Sequence, residues 1–515
     1  MVPPKLKRVA ALGKARVIIL VQLVTIFSAG CTRPLLPAGT LTFMVDRPPP
    51  TLNPRQSIDA TGQRIGALLF RALTRADSNL TPQADLATDW EVLERGKLWK
   101  FRMKPNVLDQ AGQPITAQDM AQCLENYVRG KPVSPLAAAF PYWTKALALK
   151  DTISIELRQP DVYLADNLSA LKFFRLAGTS DPCVEPKPHD LIIGSGGYRA
   201  TPWIMHPEAE IQLLPVLTQA GARPLRFTFV PDDNVKVLNL MRGSVDGIEN
   251  LTLTKTKWAQ VHLADRYRFL ERKGVVSAYL AFNLADPVLA NRAVRRAIAL
   301  AIPREEIVRE KLFGFCQPSR GLLAPLLSES FPVDFSYDPA QSIRLLDQAG
   351  YRADKNGVRL KFKFKTTPVR EGYETALIFQ DALRKIGIEL ELDLVEPAVF
   401  IASIKKRKFQ MYASRWVGIA NGSILYRTLY SESPDNRVSY RDAEMDQWLN
   451  QANSEPEAAK RKVLLAKVQR NMAEDLPYFP LWYWDNLLIL KKELGGLTAE
   501  ELSLSGALEP LTHLR

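Results

Sequence analysis

The chain has 515 residues, 46% of them hydrophobic and 24% charged, with a formal net charge of +13. That balance is ordinary for a globular protein with a large core and room for two or three domains. It argues against a small fold stapled by cysteines, since only four are present, and against a membrane-embedded body, since no stretch beyond the N-terminus approaches spanning length.

Five cations, Lys5, Lys7, Arg8, Lys14 and Arg16, lead the chain, with no acidic residue in the first thirty positions. The apolar run Val17–Phe27 is interrupted by Gln22 and Thr25. At about 11 residues it falls short of the roughly 20 that a transmembrane helix needs. A basic lead, a short apolar core and small residues beyond it are the pattern of an export signal. Ser28-Ala29-Gly30-Cys31 resembles a bacterial lipoprotein box, with Ser28 where that box usually has Leu. The resemblance implies removal of residues 1–30, acylation of Cys31 and a tether over 31–40. A plain secretory cleavage that leaves Cys31 an ordinary thiol is the alternative.

Strand-like and helix-like patterns then take turns, which argues for an α/β architecture. Leu41–Val45 reads as an opening strand and Ile65–Leu73 as an apolar helical run. Trp99, Phe101 and Met103 alternate with Lys100 and Arg102, as in a half-exposed strand. Thr116 and Asp119 are spaced as a capping box. Ile153, Ile155 and Leu157 mark another strand; Leu225, Phe227 and Phe229 mark one more, with a helix through Val235–Met241. Ala293–Ile302 and Arg304–Leu312 read as helical. Asp338-Pro339 opens a helix that Gly350 closes. Strand Leu360–Phe364, helix Glu371–Ile386 and strand Ile388–Leu394 form a βαβ unit. A long helix over Pro456–Asp475 and a late strand over Leu487–Leu490 complete the pattern.

Motifs that would signal chemistry are absent. There is no HExxH, no GxxxxGK[ST] and no GxSxG. The cluster Gly194-Ser-Gly-Gly-Tyr198 reads as a tight turn into a strand. The four histidines lack metal-ligand spacing, so neither metal nor cofactor is expected, nor an enzyme. Lys405-Lys406-Arg407-Lys408 has no aromatic interleaving and reads as a solvated helix end, not a nucleic-acid patch. Cys123, Cys183 and Cys316 permit at most one intramolecular disulfide, which spacing alone cannot assign.

Several blocks, in order, carry a resemblance. They are Leu86-Ala-Thr-Asp-Trp90 with Leu98–Lys104 and Asp109–Asp119; Gly194–Tyr198; Leu240–Asp246; Phe282-Asn283 with Val294–Ile298 and Ala301–Arg304; Tyr337-Asp-Pro-Ala with Leu345–Gly350; Lys385–Ile388; and Asp475-Leu-Pro477 with Pro480-Leu481. Together they resemble the bacterial extracellular solute-binding proteins of family 5, which feed ABC importers for oligopeptides, dipeptides, nickel and similar solutes. The resemblance implies a two-lobed α/β fold of the periplasmic-binding-protein kind (type II-like), with an extra domain inserted in the first lobe. The expected division is 41–75, 194–275 and 481–515 for lobe 1, 76–193 for the insert, and 276–480 for lobe 2. The chain would cross between lobes near 272–280 and 476–486.

It further implies a monomer outside the cytoplasm that closes on a peptide or similar small solute and presents it to a permease in the inner membrane, the monomer itself being attached to a membrane by its N-terminal lipid. In open α/β sheets ligands lie beyond the carboxyl ends of the strands. That rule points to Tyr279, Asn283, Thr366, Arg415 and Trp416 as contact residues. Core packing is the alternative for Tyr279 and Trp416, and an internal salt bridge for Arg415. Peptide-binding relatives commonly have an aspartate three residues after the equivalent of Trp416, where it grips the peptide ammonium. Here that position is Ile419, which cannot offset the desolvation of a buried ammonium.

Overall fold

The computed structural model describes residues 36–216, 222–249, 251–417 and 419–501; the leader 1–30 and Cys31 lie outside them. Residues 36–40 belong to a separate unit, Met1–Thr40, in which Thr40 N donates to Pro37 O at 3.2 Å. The remainder concerns Leu41–Arg515.

Alternating apolar residues build the main sheet. Its eleven strands are β1 Leu41–Val45, β2 Tyr198–Ala200, β3 Glu210–Pro215, β4 Leu225–Phe229, β5 Gly247–Glu249, β6 Tyr267–Phe282, β7 Cys316–Pro318, β8 Leu360–Thr366, β9 Ile388–Leu394, β10 Met411–Trp416 and β11 Tyr478–Lys491. The order is β2-β3-β4-β1-β5-β11-β6-β10-β8-β9, with β7 on β11. β1 is parallel to β4 and β5, and β8 is parallel to β9 and β10. Two parallel groups are thus joined by the long antiparallel pair β6 and β11, of 16 and 14 residues.

The buried side chains sort accordingly. One apolar core gathers Phe43, Leu69, Phe101, Tyr127, Phe227 and Leu490; a second, smaller one gathers Met44, Leu240, Ile248 and Ile489 on the other face of the same strands. Beyond the crossing, alternation splits β6 and β10 in the same way. Leu280, Phe282 and Met411 face one core with Phe364 and Phe379, while Tyr279, Tyr412 and Trp416 face another with Leu449 and Val468. Two lobes result, each an α/β layer structure.

Most elements match their expected bounds, and the exceptions have local causes. The early helix is Ala60–Leu69, capped by Asp59, whose carboxylate accepts from Gly62 N at 2.8 Å. It stops at Leu69 because Phe70 turns extended and the Gly-rich segment packs on its last carbonyls. A Cβ at Gly194 or Gly196 would stand 2.3 or 2.4 Å from the oxygens of Leu69 and Leu68, so only glycine fits. Arg304–Leu312 is a short helix, Arg304–Glu306, followed by a π turn over Ile307–Lys311. The late strand expected over Leu487–Leu490 is the last part of β11.

An inserted four-stranded antiparallel sheet, Ala87–Leu93, Leu98–Met103, Thr152–Leu157 and Trp143–Leu149 in spatial order, carries helix Ala117–Arg129. That helix starts at the expected capping box: Asp119 N donates to Thr116 Oγ1 at 3.1 Å and Thr116 N to Asp119 Oδ2 at 2.8 Å. A disulfide joins its Cys123 to Cys183, and Cys316 is a buried free thiol.

The bridge closes a loop of 60 residues, and loops of that size stabilise by about 2–4 kcal/mol when cross-linked. Urea unfolding of a Cys123→Ala/Cys183→Ala variant is therefore expected to show a loss in that range. An unchanged midpoint would contradict a structural role for the bridge.

Candidate ligand-binding site

The parallel strands of the second lobe present their carboxyl ends at Thr366, Leu394 and Trp416, and Ser277 of β6 pairs beside Trp416. Tyr279, two residue pairs further in, stacks on Trp416 with ring centroids 5.5 Å apart. Tyr412 and Tyr478 meet the Tyr279 ring edge-on at 6.0 and 5.2 Å. The guanidinium of Arg437 covers the other reach of Trp416, 4.7 Å from a ring centroid. Ile419 closes the same cluster and is 2% exposed.

Polar atoms in this aromatic cluster are left over. Ser277 Oγ, the hydroxyls of Tyr279, Tyr412 and Tyr478, Trp416 Nε1 and Arg437 Nε are buried without a hydrogen bond of normal geometry to a described residue. The Tyr279 hydroxyl neighbours those of Tyr412 and Ser414, and that of Tyr478 neighbours the backbone of Arg437. Burial pushes all three phenols above their ordinary range, so each keeps its proton.

The other expected contact residues lie elsewhere. Arg415 points to the opposite face of β10, where it stands 3.9 Å from Glu371 and 5.6 Å above the Trp484 ring; both charged side chains are exposed. That is the internal pairing, and it separates Arg415 from Trp416 and Tyr279. Asn283 sits at the far end of the strands. Its amide donates to Phe409 O at 2.8 Å and Arg407 O at 3.3 Å, tying the chain after β6 to the chain before β10. Thr366 ends β8 at the correct edge, but it is buried beneath helix Arg370–Arg384, with Gly372 above its hydroxyl. Arg437, Tyr412 and Tyr478 were not singled out by sequence; Arg437 comes from an irregular segment with no periodicity to mark it.

The first lobe presents charges at its matching edge. Lys236, 1% exposed, pairs with Asp46 and, at 3.1 Å, with Asp233; Arg64 meets Glu249 at 2.5 Å. Burial raises the Glu249 carboxyl while Arg64 opposes it.

Away from these edges the inserted segment touches the second lobe directly. Tyr163 donates to Glu329 Oε2 at 3.1 Å; Glu329 also accepts from Gly422 N at 2.7 Å and Arg461 Nε at 2.6 Å. Asp166 meets the Asn421 side chain. A hairpin tip adds Leu80 to the second lobe's core near Val275, and Arg272 donates to Asn79 at 2.6 Å.

The family model for bacterial extracellular solute-binding proteins, family 5 (middle region), matches residues 81–436. The chain belongs to that family. It is similar to the probable deoxycholate-binding periplasmic protein YgiS of Escherichia coli, at 23% identity over 90% of this chain and 91% of that protein. It is likewise similar to the oligopeptide-binding protein AppA of Bacillus subtilis, at 23% identity over 87% of each. Among solved structures, NikZ from Campylobacter jejuni in complex with Ni(L-His) superposes with a TM-score of 0.77 at 21% identity, over 93% of this chain and 100% of that one. The two-lobed fold is shared with it.

Burial pushes Asp161 and Asp166 up to about 6; the charge of Glu329 adds to the effect at Asp166, and the Asn421 amide opposes it. A raised carboxyl favours the packed state when protonated, so its contribution is fullest below the ordinary pKa near 4 and declines as pH rises through about 6. Asp166→Asn should raise thermal stability at pH 7.5, by about 1–2 kcal/mol, and give a smaller gain at pH 4.5. The same shift at both values would contradict this.

Proposed function

We propose that this protein is the extracytoplasmic substrate-binding protein of an ABC importer. It captures a small solute, an oligopeptide in the first instance, by closing two lobes over it, and delivers it to a membrane permease without altering it covalently. Membership of the family supports this reading, as do relatives whose names specify oligopeptides, dipeptides and murein peptide. The observation that carries it is the cluster of buried polar atoms around Trp416 at the carboxyl edge of the second lobe, of which Ser277 Oγ, Trp416 Nε1 and Arg437 Nε have no partner among the described residues. Such groups cost about 1–3 kcal/mol each when left unmade, and a bound guest supplies their partners.

The working division assigns 41–75, 194–275 and 481–515 to lobe 1, 76–193 to its insert and 276–480 to lobe 2. The leader directs export, Cys31 carries the lipid, and the protein acts as a monomer. A non-peptide solute is the second reading, favoured by Ile419 in place of a carboxylate.

Native mass spectrometry of protein purified from its own compartment should reveal the solute, and deletion of the gene should abolish its uptake. Undiminished uptake, with the solute still bound in vitro, would favour an exported sensor instead. For the anchor, Cys31→Ser should move the protein from the membrane fraction to the soluble one. Unchanged partitioning would contradict lipidation.

A further inference from the structure

The leftover polar atoms around Trp416 share one property: every one can donate a hydrogen bond, and no carboxylate lies among them. Ser277 Oγ, the hydroxyls of Tyr279, Tyr412 and Tyr478, Trp416 Nε1 and Arg437 Nε are all donors. We propose that they form a subsite for an anionic group of the solute, and that a carboxylate is the group that fits. The inference rests on the solute-binding reading above and names the chemistry of its ligand.

Three observations converge on it. First, the local charge is positive. Arg437 approaches Asp435 only at 3.4 Å, through one terminal nitrogen, and Asp435 is already held by Arg427 at 2.7 and 3.1 Å. Arg407 adds a third cation nearby, donating to Asn436 O at 3.0 Å. Two arginines therefore share one carboxylate, and the nitrogen of Arg437 that enters the cluster has no partner.

Second, the phenols are neutral and fully enclosed. Tyr279, Tyr412 and Tyr478 are each 0% exposed, whereas Trp416 is 7% and the Arg437 side chain 17% exposed. The tyrosines are enclosed, and the indole and guanidinium are the groups of the cluster that reach solvent. A carboxylate has two oxygens and about four acceptor positions, so the indole N–H and the guanidinium N–H, the two donors that reach solvent, can both donate to it. Charge-assisted bonds of this kind are roughly twice as strong as neutral ones.

Third, Ile419 packs in the same cluster. An aspartate there would cancel the positive charge and repel an anion. The isoleucine instead lowers the local polarity, which strengthens each remaining interaction with an ion. A solute ammonium in this place would face the Arg437 guanidinium with neutral hydroxyls, and no carboxylate at Ile419, to offset the repulsion. A peptide could bring the carboxylate either at its C-terminus or on an acidic side chain.

Calorimetry with three tripeptide pools separates the cases: neutral side chains with a free C-terminus, the same pool C-amidated, and an amidated pool carrying one Glu. Either the first or the third should bind at least about tenfold more tightly than the second, and which one does so tells where the carboxylate sits. Arg437→Gln should erase that preference. Equal affinity for all three pools would overturn the anionic subsite while leaving solute capture standing. Binding to none would count against the peptide reading and against this inference with it.

Discussion

Two strands, β6 and β11, pair through both halves of the molecule, and everything else hangs from their ladder. The pairing is regular from Tyr267 to Arg272 and again from Tyr279 to Ala281, but its register shifts between Arg272 and Val276 and between Ser277 and Tyr279. Irregular pairing of this kind bends a strand and adds local twist. At Gly274 the backbones come so close that a Cβ would lie 2.0 Å from Trp484 O, so no other residue fits without movement. The two lobes are continuous through their backbone, yet the connection is least regular where one lobe gives way to the other. That is a mechanical arrangement suited to hinge motion, and it places Ser277 and Trp484 at the same junction as Trp416.

Polar groups are distributed unequally around this junction. Two buried arginines elsewhere in the core are well bonded. Arg295 donates to carbonyls of Asp475, Leu476, Leu289 and Ala290, and Arg304 to those of Ser319, Pro480 and Phe335. Those arginines fasten irregular segments to the lobe and have no spare capacity. Around Trp416, Ser277 Oγ, Trp416 Nε1 and Arg437 Nε lack such partners among the described residues, as Arg64 Nε and Arg268 Nε do in the first lobe.

Legibility in the sequence followed the range of the signal. Period-two and period-3.6 patterns located β1, β4, β9 and the Thr116-capped helix closely, because each depends on neighbours a few residues away. The long strands β6 and β11 were only partly visible. Val275–Phe282 of β6 and Tyr478–Tyr483 of β11 are buried almost throughout and lose the alternation that marks a strand, and the charged stretch Glu271–Lys273 interrupts β6. The site was harder still. The strand-edge rule pointed to Trp416 and Tyr279, which the structure brings together, while β10's alternation puts Arg415 on the opposite face from them. Asn283, expected beside them, stands at the other end of the same strand pair, a direction that sequence offers little means to detect. Arg437 comes from a loop and reaches the cluster only through tertiary packing.

The insert's contact with the second lobe through Tyr163, Glu329 and Arg461 indicates which surfaces meet when the lobes approach. If capture by closure is right, separating the lobes must break these bonds and a bound guest must restore them. Small-angle X-ray scattering of protein stripped of solute by unfolding and refolding, before and after saturation with the solute that co-purifies, measures this directly. The account predicts a smaller radius of gyration on saturation; an envelope that does not change while the solute is demonstrably bound would contradict it.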